Sequence, residues 1–128
     1  MNGAGKFMAA DSKKVVAGVS DLFFSSKISA TAKQVGALVE FAGSPQTILD
    51  KAAGADLIIL DLGQSSLDPL SLIGKLKANP ASAHVSLVAF VNHERLDLIE
   101  GAHQAGCDQV LNRGAFSKEL PELLRAGQ

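Results

Sequence analysis

The sequence has neither tryptophan nor tyrosine, and phenylalanine supplies all six of its aromatic residues. A flavin or nucleotide ring would find neither of the two side chains that pair a large stacking face with a polar handle. Cysteine is nearly absent too. The single Cys107 excludes an internal disulfide and agrees with a reducing compartment. It opens an apolar stretch, where it reads as a small buried side chain rather than a reactive thiol. Charge of one sign is also missing, because 13 acidic residues against 12 basic ones leave a formal net charge of -1. That balance gives no electrostatic footprint for nucleic acid. No apolar run approaches the roughly 20 residues needed to cross a bilayer, and the opening MNGAGKFMAADSKK has no apolar signal-peptide core. Its Gly3-Ala4-Gly5-Lys6 string follows no strand and lacks phosphate-loop spacing. A cytoplasmic chain that binds neither nucleic acid nor membrane is expected.

What is present is hydrophobic content of 47% over 128 residues, enough for one core. The centre is Asp56 to Gly63, DLIILDLG. Four unbroken apolar residues run into one carboxylate, Asp61. Such a run is the mark of a strand buried on both faces, as in a parallel sheet covered by helices. Asp61 then falls at the strand's carboxyl end, the edge where α/β sheets gather ligands.

Residues 1–12 are small, polar and aperiodic and predict a disordered tail, with one domain over residues 13–128. Val15 to Val19 predicts the first strand. Ser20 or Asp21 caps a helix with Phe24, Ile28, Thr31 and Val35 inward, and Gly36 stops it. Ala37 to Phe41 is the next strand, and Ser44-Pro45 starts a helix that buries Ile48, Leu49 and Ala52 and ends at Gly54. After Asp61, Leu62 to Leu67 reads as a loop and Asp68-Pro69 as a cap and helix start, with Leu70, Ile73 and Leu76 inward until Asn79-Pro80. Val85 to Val91 predicts a fourth strand, and Asn92 the cap of a helix from His93 to Ala105 that Gly106 ends. Cys107 to Leu111 is a fifth strand. Ser117 to Ala126 is a last helix, with Leu120, Leu123 and Leu124 inward and Pro121 in about its first turn. Five strands alternating with five helices predict a flavodoxin-like, doubly wound parallel sheet in the order 2-1-3-4-5, layered α/β/α.

From about Lys13 to Gly127 the sequence resembles the receiver domain of bacterial two-component response regulators. The carrying segments are DLIILDLG, AHQAGCDQVL and FSKELPELL. The resemblance implies a phosphorelay signalling module with Asp61 in the place of the phosphorylated aspartate. Counted without gaps from Asp61, the family's switch Thr or Ser falls at Val91 and its lysine at Arg113, while its acidic pair falls at Val19 and Ser20.

The chemistry behind those positions can be checked one group at a time. An aspartate that accepts a phosphoryl dianion needs a divalent cation to neutralise charge. The family holds it with the acidic pair, yet Val19 and Ser20 carry no carboxylate, and only the adjacent Asp21 is acidic. Mg²⁺ demands near-octahedral oxygen geometry, which one neighbouring carboxylate supplies poorly. Val91 has no hydroxyl, and Ala89, Phe90 and Asn92 offer only an amide. Arg113 keeps positive charge on a longer planar head, and Gly114-Ala115 replaces the family's following proline.

Asp61 and Arg113 are therefore expected to form a standing charge-assisted pair. In the alternative, Asp61 accepts hydrogen bonds from loop amides and Arg113 points to solvent. Gly63, Asn92 and His93 share the edge. A Ser20, Asp61 and His93 set formally resembles a hydrolase or metal site, but these residues come from separate loops without ligand spacing. His84 and His103 read as surface residues. Consecutive Phe23 and Phe24 cannot both face the sheet, which leaves Phe23 exposed for a partner or packed beneath the loop after the first strand.

The expected function is that of a pseudo-receiver, not an enzyme. It would act through protein partners in a bacterial signalling pathway, without metal or other cofactor. It is expected to stand alone, since no DNA-binding domain follows. The alternative is a phosphorylatable single-domain response regulator, with Asp61 as phosphoacceptor and Mg²⁺ held by Asp21 and water. A third reading is a small-molecule-binding protein or enzyme of flavodoxin-like fold.

Overall fold

Short apolar runs separated by capped amphipathic segments build one parallel sheet in the order β2-β1-β3-β4-β5. The computed structural model describes residues 12–126, so all but Ser12 of the tail expected over residues 1–12 lies outside it. The strands are β1 (Lys14–Gly18), β2 (Leu38–Phe41), β3 (Leu57–Asp61), β4 (Ser86–Val91) and β5 (Gln109–Asn112). The helices are α1 (Leu22–Val35), α2 (Pro45–Ala52), α3 (Pro69–Ala78), α4 (Leu96–Ala105) and α5 (Arg113–Leu124). This is the expected flavodoxin-like topology.

Every residue of β3 is buried, and the two-residue strand period divides them between two cores. Leu57 and Ile59 pack with Phe24 and Ile28 of α1 and Phe116 and Leu120 of α5. Ile58 and Leu60 pack on the other face with Ile48 of α2, Ile73 of α3 and Ala102 of α4. Gly18 is a point of close approach in that second core. A Cβ there would stand 2.9 Å from both Ile48 Cδ1 and Leu67 Cδ1, so any larger residue would have to push these side-chain ends aside.

Most expected punctuation is in place. Asp21 and Ser44 accept hydrogen bonds from the amides of Phe24 and Thr47, while Gly36 and Gly106 end α1 and α4 at φ 79° and 105°. Several strand and helix ends shift by a residue or two, and four features differ further. Ser65–Leu67 is a 3-10 turn inside the expected loop. Asp68 enters α3 in the left-handed region, at φ 47° and ψ 60°, and its side chain caps nothing. Asn92 does not cap α4: it accepts from the amide of Glu94 through Oδ1 and of Arg95 through its carbonyl, closing a turn that delays the helix to Leu96. Finally, α5 begins at Arg113 rather than Ser117, because Asn112 Oδ1 accepts from the Ala115 amide at 2.8 Å. Pro121 consequently sits inside α5, not in its first turn, and burial of Leu120 and Leu124 on either side holds the helix across the missing amide.

The amino-terminal edge of the sheet is fastened by polar side chains. Lys77 Nζ reaches Asp108 Oδ2 at 2.7 Å and the carbonyls of Val85 and Ala83 at 3.0 and 3.3 Å. The same Asp108 oxygen accepts from the Leu87 amide at 2.8 Å. Lys13 donates to the Leu123 carbonyl at the end of α5, 2.8 Å away, and burial lowers its pKa against the opposing pull of Asp56. Cys107, entering β5, is buried, and that burial pushes its thiol pKa up.

Candidate functional site

At the opposite edge, β3 delivers Asp61 into a nearly closed setting, with 5% of its surface exposed. Gly63 folds back so that its amide donates to Asp61 Oδ1 at 2.9 Å. A Cβ on Gly63 would come within 3.3 Å of that same oxygen, so a bare backbone suits this approach. Oδ2 has no hydrogen-bond partner and yet is not sealed from solvent, since no buried side-chain oxygen among the described residues is left unsatisfied. Burial raises the Asp61 pKa; the Gly63 amide and the Arg113 charge oppose the rise, and the Asp21 carboxylate adds to it.

The expected Asp61–Arg113 pair is not formed. Among the described residues Arg113 makes no ion pair, and its Cζ lies 5.4 Å from the centroid of the Phe24 ring. A planar, weakly hydrated guanidinium is well suited to an aromatic face. Beneath it lies an aromatic stack, with Phe24 and Phe90 centroids 4.8 Å apart and Phe90 and Phe116 stacked at 4.4 Å. Arg113 thus reaches Asp61 only as a charge at a distance. The alternative, in which loop amides serve Asp61, describes the carboxylate correctly.

Val19 is buried with Phe24 and Phe90 in the α1/α5 core. Ser20 is exposed, and its amide donates to Gln64 Oε1 at 2.9 Å, tying the loop after β1 to the loop after β3. Asp21 is engaged as the cap of α1. Val91 is 2% exposed and belongs to the core on the other face, opposite Asn112 in register. Asn92 and His93 are exposed, and no hydrogen bond joins any two of Ser20, Asp61 and His93, so that set is not assembled. His84 and His103 are exposed as expected. Phe23 is 66% exposed and meets Phe24 edge-on.

Beside Asp61 the neighbouring carboxylate is Asp21, a sparse set of oxygens for an ion that prefers octahedral coordination. Among the described residues no three of His, Cys, Asp and Glu cluster closely enough to hold a metal. The position that would contribute a second carboxylate has its backbone tied to Gln64 instead. Sequence reasoning passed over Gln64 and the Phe24–Phe90–Phe116 stack. The first was the one long amide side chain in a Gly/Ser-rich loop. The second was legible in part, because Phe116, Leu120 and Leu124 follow helical spacing.

No protein-family model matches the sequence, and no curated protein matches it. Solved structures do. A response regulator from Hahella chejuensis superposes with a TM-score of 0.77 at 20% identity, covering 88% of this chain and 92% of that one. The receiver domain of a Pseudomonas aeruginosa sensor histidine kinase, with magnesium coordinated in its active-site cleft, gives 0.76 at 19% identity over 88% and 94%. A chemotaxis response regulator of Vibrio cholerae gives 0.75 at 17% identity over 88% and 96%. At these identities the likeness establishes the fold, which is that of response regulator receiver domains.

Proposed function

We propose that this receiver-fold chain is a signalling module that acts by contact with protein partners, and that Asp61 is not phosphorylated by the magnesium-dependent route. The observation that carries this reading is the hydrogen bond from the Ser20 amide to Gln64. It joins the two loops flanking Asp61 by a contact internal to the protein, where a receiver's chemistry requires acids and a cation. Three further features support it. Val19 is an apolar core residue, Val91 faces the other core, and Arg113 rests on Phe24. The loops beside Asp61 are then held in one arrangement without a phosphoryl group. Surface presentation, not chemistry, is the output. The absence of a membrane-spanning helix among the described residues agrees with a module that meets its partners in solution.

One observation favours the second reading, a phosphorylatable receiver. Asp61 Oδ2 has no hydrogen-bond partner among the described residues and is not fully sealed, with Asp21 close enough to act on it electrostatically. Incubation with acetyl phosphate, or with beryllofluoride and Mg²⁺, followed by intact-mass analysis and NMR, separates the two. No adduct is expected, and a stable adduct on Asp61 would establish the second reading.

A further inference from the structure

The segment from Gly63 to Asp68 is held between opposing forces. Leu67 is fully buried at the close approach to Gly18, and Pro69 is buried as α3 begins. Asp68 lies exposed between these two anchors, at φ 47° and ψ 60°. Among the described residues it is the one non-glycine residue in the left-handed region. That region brings Cβ of an L residue too close to the following carbonyl, and a proline next in sequence pushes the preference further toward extended backbone. Nothing local offsets the cost, because the Asp68 side chain makes no capping hydrogen bond. Strain of this kind persists only where the surroundings over-determine it, and it collects at switch regions.

The restraint that opposes this strain is slight. Gln64 Oε1 accepts from the Ser20 amide at 2.9 Å in an exposed hydrogen bond, and the turn within the segment closes through the amides of Leu67 and Asp68 on the carbonyls of Gln64 and Ser65, at 3.1 and 3.0 Å. We propose that residues 63–68 form a strap with two positions: the Gln64–Ser20 hydrogen bond holds it down beside Asp61, and relaxation of the Asp68 backbone lifts it. Lifting withdraws Leu67 from Gly18 and frees the Ser20 amide, so the surface at the carboxyl edge changes without chemistry at Asp61. A partner oxygen that takes the Ser20 amide favours the lifted position. The inference rests on the reading of a module whose output is its surface, and supplies a means of changing that surface. The two fail separately, since an adduct on Asp61 is detected by mass and refutes that reading, whereas the strap is read from amide exchange.

Hydrogen exchange of the isotope-labelled full chain tests the strap, with protection at the amides of residues 67 and 68 compared with that of β3, which reports global opening. In the wild type these two amides should be at least about tenfold less protected than β3. Gln64→Ala, which reproduces loss of the Ser20 contact, should lower their protection about fivefold further and leave β3 nearly unchanged. Asp68→Gly accepts the left-handed backbone without strain and should raise their protection about fivefold, where added glycine in a merely mobile loop would lower it. The double variant should return close to the wild-type value. The inference is overturned if Gln64→Ala leaves protection unchanged, if Asp68→Gly lowers it or leaves it unchanged, or if both amides are as protected as β3.

Discussion

Replacing Arg113 tests the electrostatics of the site most directly. Its guanidinium touches Phe24 and reaches Asp61 only through space. Arg113→Met should therefore forfeit a cation–π contact worth about 0.5–1 kcal/mol at an exposed position. For a domain of this size that lowers Tm by about 2–4 °C. The charge has a separate signature. Burial holds the Asp61 pKa above its ordinary value and Arg113 opposes that rise, so Arg113→Met should move it higher still. A carboxyl whose native pKa is raised retains its proton in the native state over a pH range where the unfolded chain has lost it. Native stability from this group is thus fully present below the ordinary carboxyl range and falls as pH rises through the raised value. The destabilisation by Arg113→Met should accordingly be greater at pH 7 than at pH 3. Arg113→Lys should leave the titration nearly unchanged while losing part of the stacking. Carbon-detected NMR of the Asp61 carboxyl with pH, alongside thermal melts at both pH values, reads both effects. A wild-type midpoint below the ordinary carboxyl range would restore the direct ion pair, and one unmoved by Arg113→Met would show that the Arg113 charge does not reach Asp61; either result refutes this account.

Three other outcomes follow from the packing. Lys77→Met removes a charged donor from Asp108 and two carbonyls; because Asp108 is half exposed and rehydrates, chemical denaturation should show a loss of about 2 kcal/mol, and one below about 0.5 kcal/mol would make the cluster a surface ornament. Gly18→Ala forces a methyl against Ile48 and Leu67 and should cost about 1–3 kcal/mol, relieved in part by Leu67→Ala, a rescue that a purely backbone effect would not show. Val91→Thr places a hydroxyl in the α2/α3/α4 core rather than at Asp61. It should destabilise by about 1–3 kcal/mol without conferring a beryllofluoride response, and an NMR response at Asp61 would show that residue 91 reaches the site.

Particular residues show how far the sequence could be read. The run Leu57–Leu60 has one plausible fate, a strand covered on both faces, and its flanks Gly36, Ser44-Pro45 and Gly106 are local signals whose physics is complete within a few residues. Asn92 and Asn112 mark the limit. Each offers a side-chain oxygen to a following amide, and both do so in the fold, but one closes a turn and the other starts a helix. The difference lies in which apolar face follows, since Phe116 must reach Phe90 beneath Arg113. Local propensity cannot register that contact.

The amino-acid order alone settled the alternation of strand and helix and the position of Asp61 at a strand's carboxyl end, because hydrophobic period and caps act over short distances. It also showed that Val19 and Val91 carry neither a carboxylate nor a hydroxyl. What sits beside Asp61 was decided by the tertiary structure. Gln64 meets the Ser20 amide across 44 positions of chain, and Arg113 selects the ring of Phe24 over a carboxylate. Such choices depend on competing partners brought within a few ångströms by the packing of helices on the sheet, and no pattern along the chain encodes that competition.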